Sequence, residues 1–251
     1  MDRQIASVAS FIKKAKKISA LTGAGISAES GIPPFRGNNG IWEKYEPEEY
    51  AHIDSFMKNP AKVWQMIREL IDMIFEAVPN KGHLCLSEME KTGHLHSIIT
   101  QNVDGLHQSA GSRKVIEFHG NNMFLLCMKC GGKIKTEKEI YREIPPLCHC
   151  GGILRPDVVF FGEPIPQRAI TKSYAEAESC DVMLVIGTSA IVTPAADIPV
   201  IAKGKGAKII EINTESTPLT QGGCRYFNFR RSRNYSSRDC EEFITGKLTE
   251  R

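Results

Sequence analysis

The stretch that decides the fold is Gly23-Ala24-Gly25-Ile26-Ser27-Ala28-Glu29-Ser30-Gly31-Ile32-Pro33-Pro34-Phe35-Arg36-Gly37. It follows the apolar run 18–21, which predicts a buried parallel strand that enters a glycine turn. A strand that ends in Gly-x-Gly lets backbone N–H groups converge on an anion, because glycine permits a tight turn and a close approach. The glycines at 23 and 25 and the alanine at 28 match the start of the dinucleotide-binding pattern.

The rest of that pattern is missing. An ordinary dinucleotide-binding unit continues into a helix and a second strand, with an acidic residue about 20 residues on that holds the ribose. Here the chain runs instead into Pro33-Pro34, which cannot lie inside a helix. The loop therefore predicts a dinucleotide site that serves a reaction other than ordinary hydride transfer.

Length and composition are those of a soluble globular protein. The chain has 251 residues, of which 41% are hydrophobic and 24% are charged, enough for one large α/β domain or for a large and a small one. Apolar residues at helical spacing within 1–17 predict an amphipathic helix without the apolar core of a secretory signal. No apolar run approaches the ~20 residues that a membrane helix needs, so we expect a cytoplasmic protein with no membrane segment.

The net charge of +3 is confined to the end of the chain. Residues 221–251 hold seven Lys or Arg and four Asp or Glu, whereas residues 1–220 are neutral on balance. The body of the protein therefore has no general attraction to nucleic acid.

Apolar periodicity predicts alternating helices and strands. Helices are predicted at 61–77, 83–91 and 168–178, and further strands at 97–100, 115–118, 182–186 and 208–212. Polar residues follow the strands, at the edge where open α/β sheets bind their ligands.

Four cysteines have the spacing of a zinc site. Cys127-x-x-Cys130 and Cys148-x-Cys150 are each followed by Gly-Gly, and 17 residues separate the two pairs. Four thiolates suit a closed tetrahedral zinc that is structural, since a catalytic zinc keeps an open position. His149 is an alternative ligand, but thiolate is the softer partner and we favour four sulfurs. In a cytosolic chain this pattern favours metal binding over disulfides.

Three motifs in order resemble those of the sirtuins, the NAD-dependent protein lysine deacylases. The glycine stretch 23–37 is similar to their opening motif, Gln101-Asn102-Val103-Asp104 to the second and Phe118-His119-Gly120 to the third. The resemblance covers about residues 18–219, and it implies an α/β fold with a Rossmann-type parallel sheet as a large domain. A small domain, with a zinc ribbon and a helical module, is then expected from insertions at about 38–80 and 121–155.

The resemblance implies a reaction and its cofactors. The bond between nicotinamide and ribose in NAD is cleaved, and the acyl group of a lysine in a protein or peptide passes to the ADP-ribose. A deacetylase would release nicotinamide and O-acetyl-ADP-ribose. Two alternatives stay open, namely ADP-ribosyl transfer to a protein from the same NAD site, and a module that senses NAD or ADP-ribose without catalysis.

Roles for individual residues follow from the same resemblance. His119 is the expected general base toward a ribose hydroxyl, a task that suits imidazole, with Asn102 and Asp104 as the other catalytic residues. His83 and His107 are expected to be structural. Four residues are expected to pair with the substrate backbone as an added strand, namely Val159, Phe160, Phe161 and Gly162. The expected contacts of NAD are Gly23, Ala24, Ala28, Phe35, Arg36, Gln101, Asn102, Val103, Asp104, Gly187, Thr188, Ser189 and Asn213.

The acyl preference is expected to be for a short neutral group. Relatives that prefer acidic acyl groups carry a Tyr and an Arg three residues apart in the helix that here contains Trp64. Those positions fall on Ile67 and Leu70, neither of which can hydrogen-bond a carboxylate. Acetyl-lysine is therefore the predicted substrate.

The resemblance ends near Thr220. The sequence of 220–251 shows neither strand alternation nor a helical stripe, and it fits a disordered basic tail or a frame-shifted end. A third alternative is an arm that binds nucleic acid through arginines and aromatic side chains. The adenine contact that this region normally supplies cannot be assigned from the sequence.

Overall fold

Strand β1 (Ile18–Thr22) lies at the centre of the fold, and all five of its residues are buried. The computed structural model describes residues 11–37 and 39–222, together with the backbone of residues 225–228. In it β1 pairs in parallel with β2 (Leu95–Thr100) on one side and with β7 (Val182–Ile186) on the other. A strand with neighbours on both edges and helices on both faces needs a continuous apolar sequence.

Six parallel strands form the main sheet in the order β3-β2-β1-β7-β8-β9. The remaining strands of this sheet are β3 (Val115–Glu117), β8 (Lys208–Asn213) and β9 (Arg225–Asn228). The chain extends the sheet from β1 toward β3 in one direction and from β7 toward β9 in the other. The switch point between these directions lies at the carboxyl ends of β1 and β7, where such sheets bind ligands.

Helices cover both faces of the sheet. Alternate side chains of each strand point to opposite faces, so Leu184 packs on one side of β7 and Val185 on the other. The first face is covered by α5 (Lys81–Lys91), and the second by α7 (Gln167–Ser179) and α8 (Asp197–Gly204).

A second lobe surrounds a three-stranded antiparallel sheet in the order β5-β4-β6. Trp64, Phe56, Leu125 and Leu154 are fully or almost fully buried in its core, and the indole Nε1 of Trp64 donates to the Leu154 carbonyl at 2.9 Å. The elements of this lobe are α1 (Ile41–Lys44), α2 (Pro47–Tyr50), α3 (Ile53–Lys58), α4 (Pro60–Glu76), β4 (Gly120–Cys127), β5 (Lys133–Lys135) and β6 (Leu154–Val158).

Helix α4 carries the apolar stripe that the sequence predicts. It begins where Asn59 accepts a hydrogen bond from the Lys62 N–H at 3.1 Å, with Pro60 in the first turn. Its buried face consists of Val63, Trp64, Met66, Ile67, Ile71 and Ile74. The predicted helix at 61–77 is therefore confirmed within a residue at each end.

The predicted fold class is confirmed, and the differences are local. The glycine stretch continues as a 3₁₀ helix (Ala24–Ser30), and two more short helices are α6 (Leu106–Ser109) and α9 (Pro218–Gln221). The prediction of a disordered tail over 220–251 is wrong for residues 225–228, which form strand β9. This strand pairs in parallel with β8, and pairing of this kind leaves no signal in the sequence of the strand itself. Most of the predicted helix at 1–17, and the tail from residue 229 on, lie outside the described residues.

Within residues 11–37 and 39–222, no helix combines the length and the apolar character that a membrane crossing requires.

Candidate active site

One large cavity, of about 2140 Å³, opens at the carboxyl ends of the central strands and extends to the second lobe. It brings together residues that lie far apart in the sequence. All the predicted NAD contacts except Asp104 line it, and so do His119 and the four predicted substrate contacts. The lining residues among these are Gly23, Ala24, Ala28, Phe35, Arg36, Gln101, Asn102, Val103, His119, Val159, Phe160, Phe161, Gly162, Gly187, Thr188, Ser189 and Asn213.

Gly23 and Gly25 allow the loop after β1 to pack directly against the loop after β7. The Gly23 N–H donates to the Ile186 carbonyl at 3.0 Å, and the Gly25 N–H donates to the Gly187 carbonyl at 2.8 Å. A Cβ on Gly25 would lie 2.8 Å from the Gly187 Cα, and Gly187 itself has a φ of +61°. The expectation that these glycine N–H groups face an anion is therefore wrong, because the crossing loop already occupies them. Ala24 N–H has no acceptor among the described residues.

Polar side chains after β2 connect the crossed loops. The Gln101 side chain donates from Nε2 to the Thr188 hydroxyl at 2.9 Å. The Asn102 side chain donates from Nδ2 to the Gly23 carbonyl at 3.2 Å and to the Ser27 hydroxyl at 3.1 Å. These contacts fix the three strand-end loops relative to one another.

Asp104 lies behind the cavity wall. One carboxylate oxygen accepts from the Ser27 hydroxyl at 2.7 Å, and the other accepts from the Leu106 N–H at 2.9 Å. Asp104, an expected NAD contact, therefore does not line the cavity, and both of its carboxylate oxygens accept hydrogen bonds within the chain. The carboxylate instead holds Ser27, which in turn accepts from Asn102. Ser27 was missed as a functional residue, although a hydroxyl inside the glycine motif was a visible signal.

A hydrogen bond to the backbone fixes the tautomer of the His119 ring. Its Nδ1 lies 3.2 Å from the Gln101 carbonyl, and a carbonyl oxygen only accepts, so Nδ1 carries the proton and Nε2 keeps its lone pair. Burial lowers the pKa of His119 below its usual value, while the hydrogen bond to Gln101 acts in the opposite direction. The ring is therefore neutral at physiological pH, as a general base requires.

His83 and His107 form a buried pair beneath the site. Their ring centroids are 4.9 Å apart in an edge-to-face arrangement, and both side chains are fully buried. Burial, followed by the neighbouring His83, lowers the pKa of His107 to about 3. His107 Nε2 lies 2.9 Å from the Thr22 hydroxyl and His83 Nε2 lies 3.5 Å from the Ser27 hydroxyl, and neither ring lines the cavity.

The strip 159–162 is held by the chain itself. The Val159 N–H donates to the His119 carbonyl, the Phe161 N–H donates to the Ala51 carbonyl, and the Phe160 N–H donates to the Glu163 carboxylate, each at 2.9 Å. A peptide strand can therefore not take these three donors, contrary to a simple strand addition. The Val159 carbonyl has no donor among the described residues.

The far wall of the cavity is apolar. Met66, Ile67 and Leu70 from α4 line it, whereas Arg68 does not. Phe35 and Trp42 stack with ring centroids 5.0 Å apart. The three α4 side chains offer no donor to a charged acyl group, whereas Trp42 carries a buried Nε1–H without an acceptor among the described residues.

The four predicted cysteines converge at one end of the β4–β6 sheet. Their sulfurs all lie within 4.8 Å of one another, with Cys127 to Cys150 at 3.5 Å and Cys130 to Cys148 at 3.9 Å. A tetrahedral zinc with Zn–S bonds of about 2.3 Å separates its sulfurs by about 3.8 Å, so the cluster fits this ion. Among the described residues, His149 does not join the cluster. The predicted closed set of four sulfurs is thereby confirmed.

Comparison with known proteins gives one consistent family. The model of the Sir2 family matches residues 23–194. NAD-dependent protein deacylase 2 of Pyrobaculum aerophilum is 49% identical over 214 residues, which cover 85% of this chain and 86% of that protein.

Solved structures agree with this similarity. A Sir2 homologue in complex with NAD is 42% identical with a TM-score of 0.83, and the match covers 98% of this chain and 93% of that one. A complex of Sir2 with a p53 peptide and NAD⁺ is 35% identical with a TM-score of 0.81, and it covers 94% of this chain and 93% of that one.

Proposed function

Because the chain belongs to the Sir2 family, we propose that it is an NAD-dependent protein lysine deacetylase. Its products are the free lysine, nicotinamide and O-acetyl-ADP-ribose, with one water consumed. The observation that carries the proposal is the composition of the large cavity. It is lined by a neutral His119, by Val159 with a carbonyl that has no donor among the described residues, and by the apolar side chains of α4. The glycine loops after β1 and β7 form its other side. Relatives named as NAD-dependent deacylases, and a neighbour solved with a peptide and NAD⁺, support it.

The glycine loops and the strand-end polar groups form the cofactor half of the site. Ala24 offers its N–H to a phosphate, and Arg36 offers an exposed guanidinium at the cavity wall. Asn102 and Gln101 face the ribose, and Asp104 acts through Ser27 to keep Asn102 in place. Bound NAD would supply the ribose carbon that the acyl oxygen attacks as nicotinamide leaves.

His119 and Val159 serve the transfer step. The lone pair on His119 Nε2 accepts the proton of a ribose hydroxyl, and the Gln101 carbonyl stabilises the imidazolium through Nδ1. The Val159 carbonyl accepts a hydrogen bond from the amide N–H of the acyl-lysine. Since Val159 N–H donates to the His119 carbonyl, the base and the lysine acceptor are joined by one backbone hydrogen bond at 2.9 Å.

The apolar wall selects the acyl group. Ile67 and Leu70 line the cavity and offer no hydrogen-bond donor to a carboxylate at the end of an acyl chain. An acetyl group carries only a methyl into this region and loses no hydrogen bond there. The zinc site lies in the second lobe and has a structural role, since all four ligand positions come from the protein.

The cellular setting follows from the cysteines. We propose a cytoplasmic location, because a reducing compartment keeps the four clustered thiols available for zinc. The substrate is an acetyl-lysine protein or peptide. The side chains of residues 223–251, which include the candidate nucleic-acid arm, lie outside the described residues.

The test is mass spectrometry of an acetyl-lysine peptide incubated with the protein, with and without NAD. Loss of the acetyl group only with NAD supports the proposal. Gain of ADP-ribose on the peptide or protein would make the chain an ADP-ribosyltransferase. A peptide that stays unchanged, alongside measurable NAD binding, would make it a sensing module.

A further inference from the structure

A buried ion pair between Arg155 and Glu163, here called the fork, supports the strip 159–162. On β6, Arg155 donates from both terminal nitrogens to the two carboxylate oxygens of Glu163, each at 2.6 Å. Both side chains are largely buried, with exposures of 11% for Arg155 and 23% for Glu163. A two-point pair of this kind fixes orientation as well as distance.

The fork makes three further contacts, one with Val158 at the end of β6 and two with Phe160 in the strip. The guanidinium donates to the Val158 carbonyl at 2.7 Å and lies 4.7 Å from the centre of the Phe160 ring. The Glu163 carboxylate accepts from the Phe160 N–H at 2.9 Å. Burial alone raises the pKa of Glu163, but Arg155 and the Phe160 N–H lower it below its usual value, so the carboxylate stays charged.

Only one residue of the fork reaches the cavity wall. The strip and Glu163 line the cavity, whereas Arg155 does not. Both carboxylate oxygens of Glu163 already accept hydrogen bonds from the chain, Oε1 from Arg155 and Oε2 from Arg155 and the Phe160 N–H.

The strip needs this support because it is irregular. It follows the end of β6 and turns at Gly162, which has a φ of +84° and whose Cβ would lie 2.6 Å from the His52 ring. Without the fork, the Phe160 N–H loses its acceptor and the direction of the Val159 carbonyl is no longer fixed.

We propose that Arg155 and Glu163 are positioning residues that hold the strip 159–162 for the acyl-lysine peptide and leave the NAD half of the site unchanged. This assignment rests on the proposed deacetylase function. It adds that peptide affinity depends on an ion pair that acts by holding the strip in place. Peptide affinity and NAD affinity are then separable by substitution.

The test compares three variants with the natural sequence in steady-state kinetics, with peptide and NAD varied separately. Glu163→Gln keeps the shape but removes the charge, and Arg155→Lys keeps the charge but removes the fork. Lys133→Met is the matched control, because it removes the exposed 2.6 Å ion pair to Asp157 on the same strand β6. Zinc content and thermal unfolding are measured for each variant.

We expect KM for the peptide to rise about tenfold in Glu163→Gln, in keeping with the loss of a charged hydrogen-bond pair. Arg155→Lys should show a smaller rise, and Lys133→Met should stay within about twofold, as for a surface ion pair. The Kd of NAD, from calorimetry, should change less than about twofold in all three.

An unchanged peptide KM in folded, zinc-loaded Glu163→Gln overturns the inference, and so does an equal weakening of NAD binding. If Glu163→Gln does not fold, Arg155→Lys decides by the same criteria. Absence of deacetylation by the natural sequence would be a failure of the proposed function itself, which this comparison detects separately.

Discussion

On the cofactor half of the cavity, the walls are loops between parallel strands, and backbone groups hold them, as where Gly25 N–H meets the Gly187 carbonyl. On the peptide half, the walls are side chains of α4 and a strip supported by Arg155 and Glu163, with a zinc-type cluster at the far end of the same sheet. Backbone contacts tolerate few substitutions, whereas side-chain walls can change one residue at a time. The proposed function therefore implies that NAD binding depends on backbone contacts and that substrate choice depends on side chains of the second lobe.

The largest expected effect comes from removal of the zinc site, which should destabilise the second lobe. Cys130→Ala, or a strong chelator, should unfold the β4–β6 sheet and lower the free energy of unfolding of the chain by several kcal/mol, because metal-binding energy is folding energy here. Thermal unfolding and metal analysis measure both effects. Cys85→Ala is the control, since Cys85 lies outside the cluster. Folded, active protein that contains no zinc would contradict the structural role.

Removal of the base should separate chemistry from binding. In His119→Ala, turnover of an acetyl-lysine peptide should fall by ~10²-fold or more, the usual scale for a lost general base, while the Kd of NAD changes little. Isothermal calorimetry and steady-state rates give the two numbers. His107→Asn, beneath the site, serves as a comparison, because it should act through stability. Normal turnover in His119→Ala would place the base elsewhere.

The acyl wall should discriminate by charge. Acetyl-lysine should exceed succinyl-lysine in kcat/KM by at least ~100-fold, since an unpaired carboxylate in an apolar wall is costly. Both acyl forms of one peptide are compared at the same NAD concentration. Leu70→Arg should narrow the ratio by improving the succinyl substrate, because it supplies the missing donor to the wall. Equal rates in the unchanged protein would mean that α4 does not face the acyl group.

The smallest expected effect is on the pH profile. His119 must be neutral to accept a proton, and burial lowers its pKa, so kcat/KM should be constant near neutrality and fall only as the pH drops below the usual histidine value of about 6.5. A pH–rate profile with an acid limb above that value would contradict the assignment, because burial can only lower the pKa of this ring. His96, which is exposed on the opposite edge of the sheet, provides a control in His96→Asn.

Much of the fold could be predicted because the signals are local. The apolar runs of β1 and β7 and the stripe of α4 each specify their own element, and the cysteine spacing specifies its cluster. Strand β9 could not be predicted, because its stability comes from pairing with β8 rather than from its own residues.

The sequence identified most of the residues that line the site, but it did not predict the contacts that each of them makes. The sequence identified Asp104 and the glycines, but the position of a carboxylate behind Ser27 depends on a hydrogen bond between residues 77 positions apart. The glycine N–H groups likewise found acceptors on β7 and in the loop after it, which no local pattern reveals. The sequence also gave no sign that Arg155 and Glu163 form an ion pair, because their contact depends on the conformation of the turn between them.

The measurement that tests the central claim most directly is a parallel count of nicotinamide and deacetylated peptide from one reaction with NAD. The account predicts one nicotinamide released for each lysine freed, one O-acetyl-ADP-ribose formed with them, and a matching loss of all three in His119→Ala. Nicotinamide released while the peptide keeps its acetyl group, or deacetylation that proceeds without NAD, would contradict it.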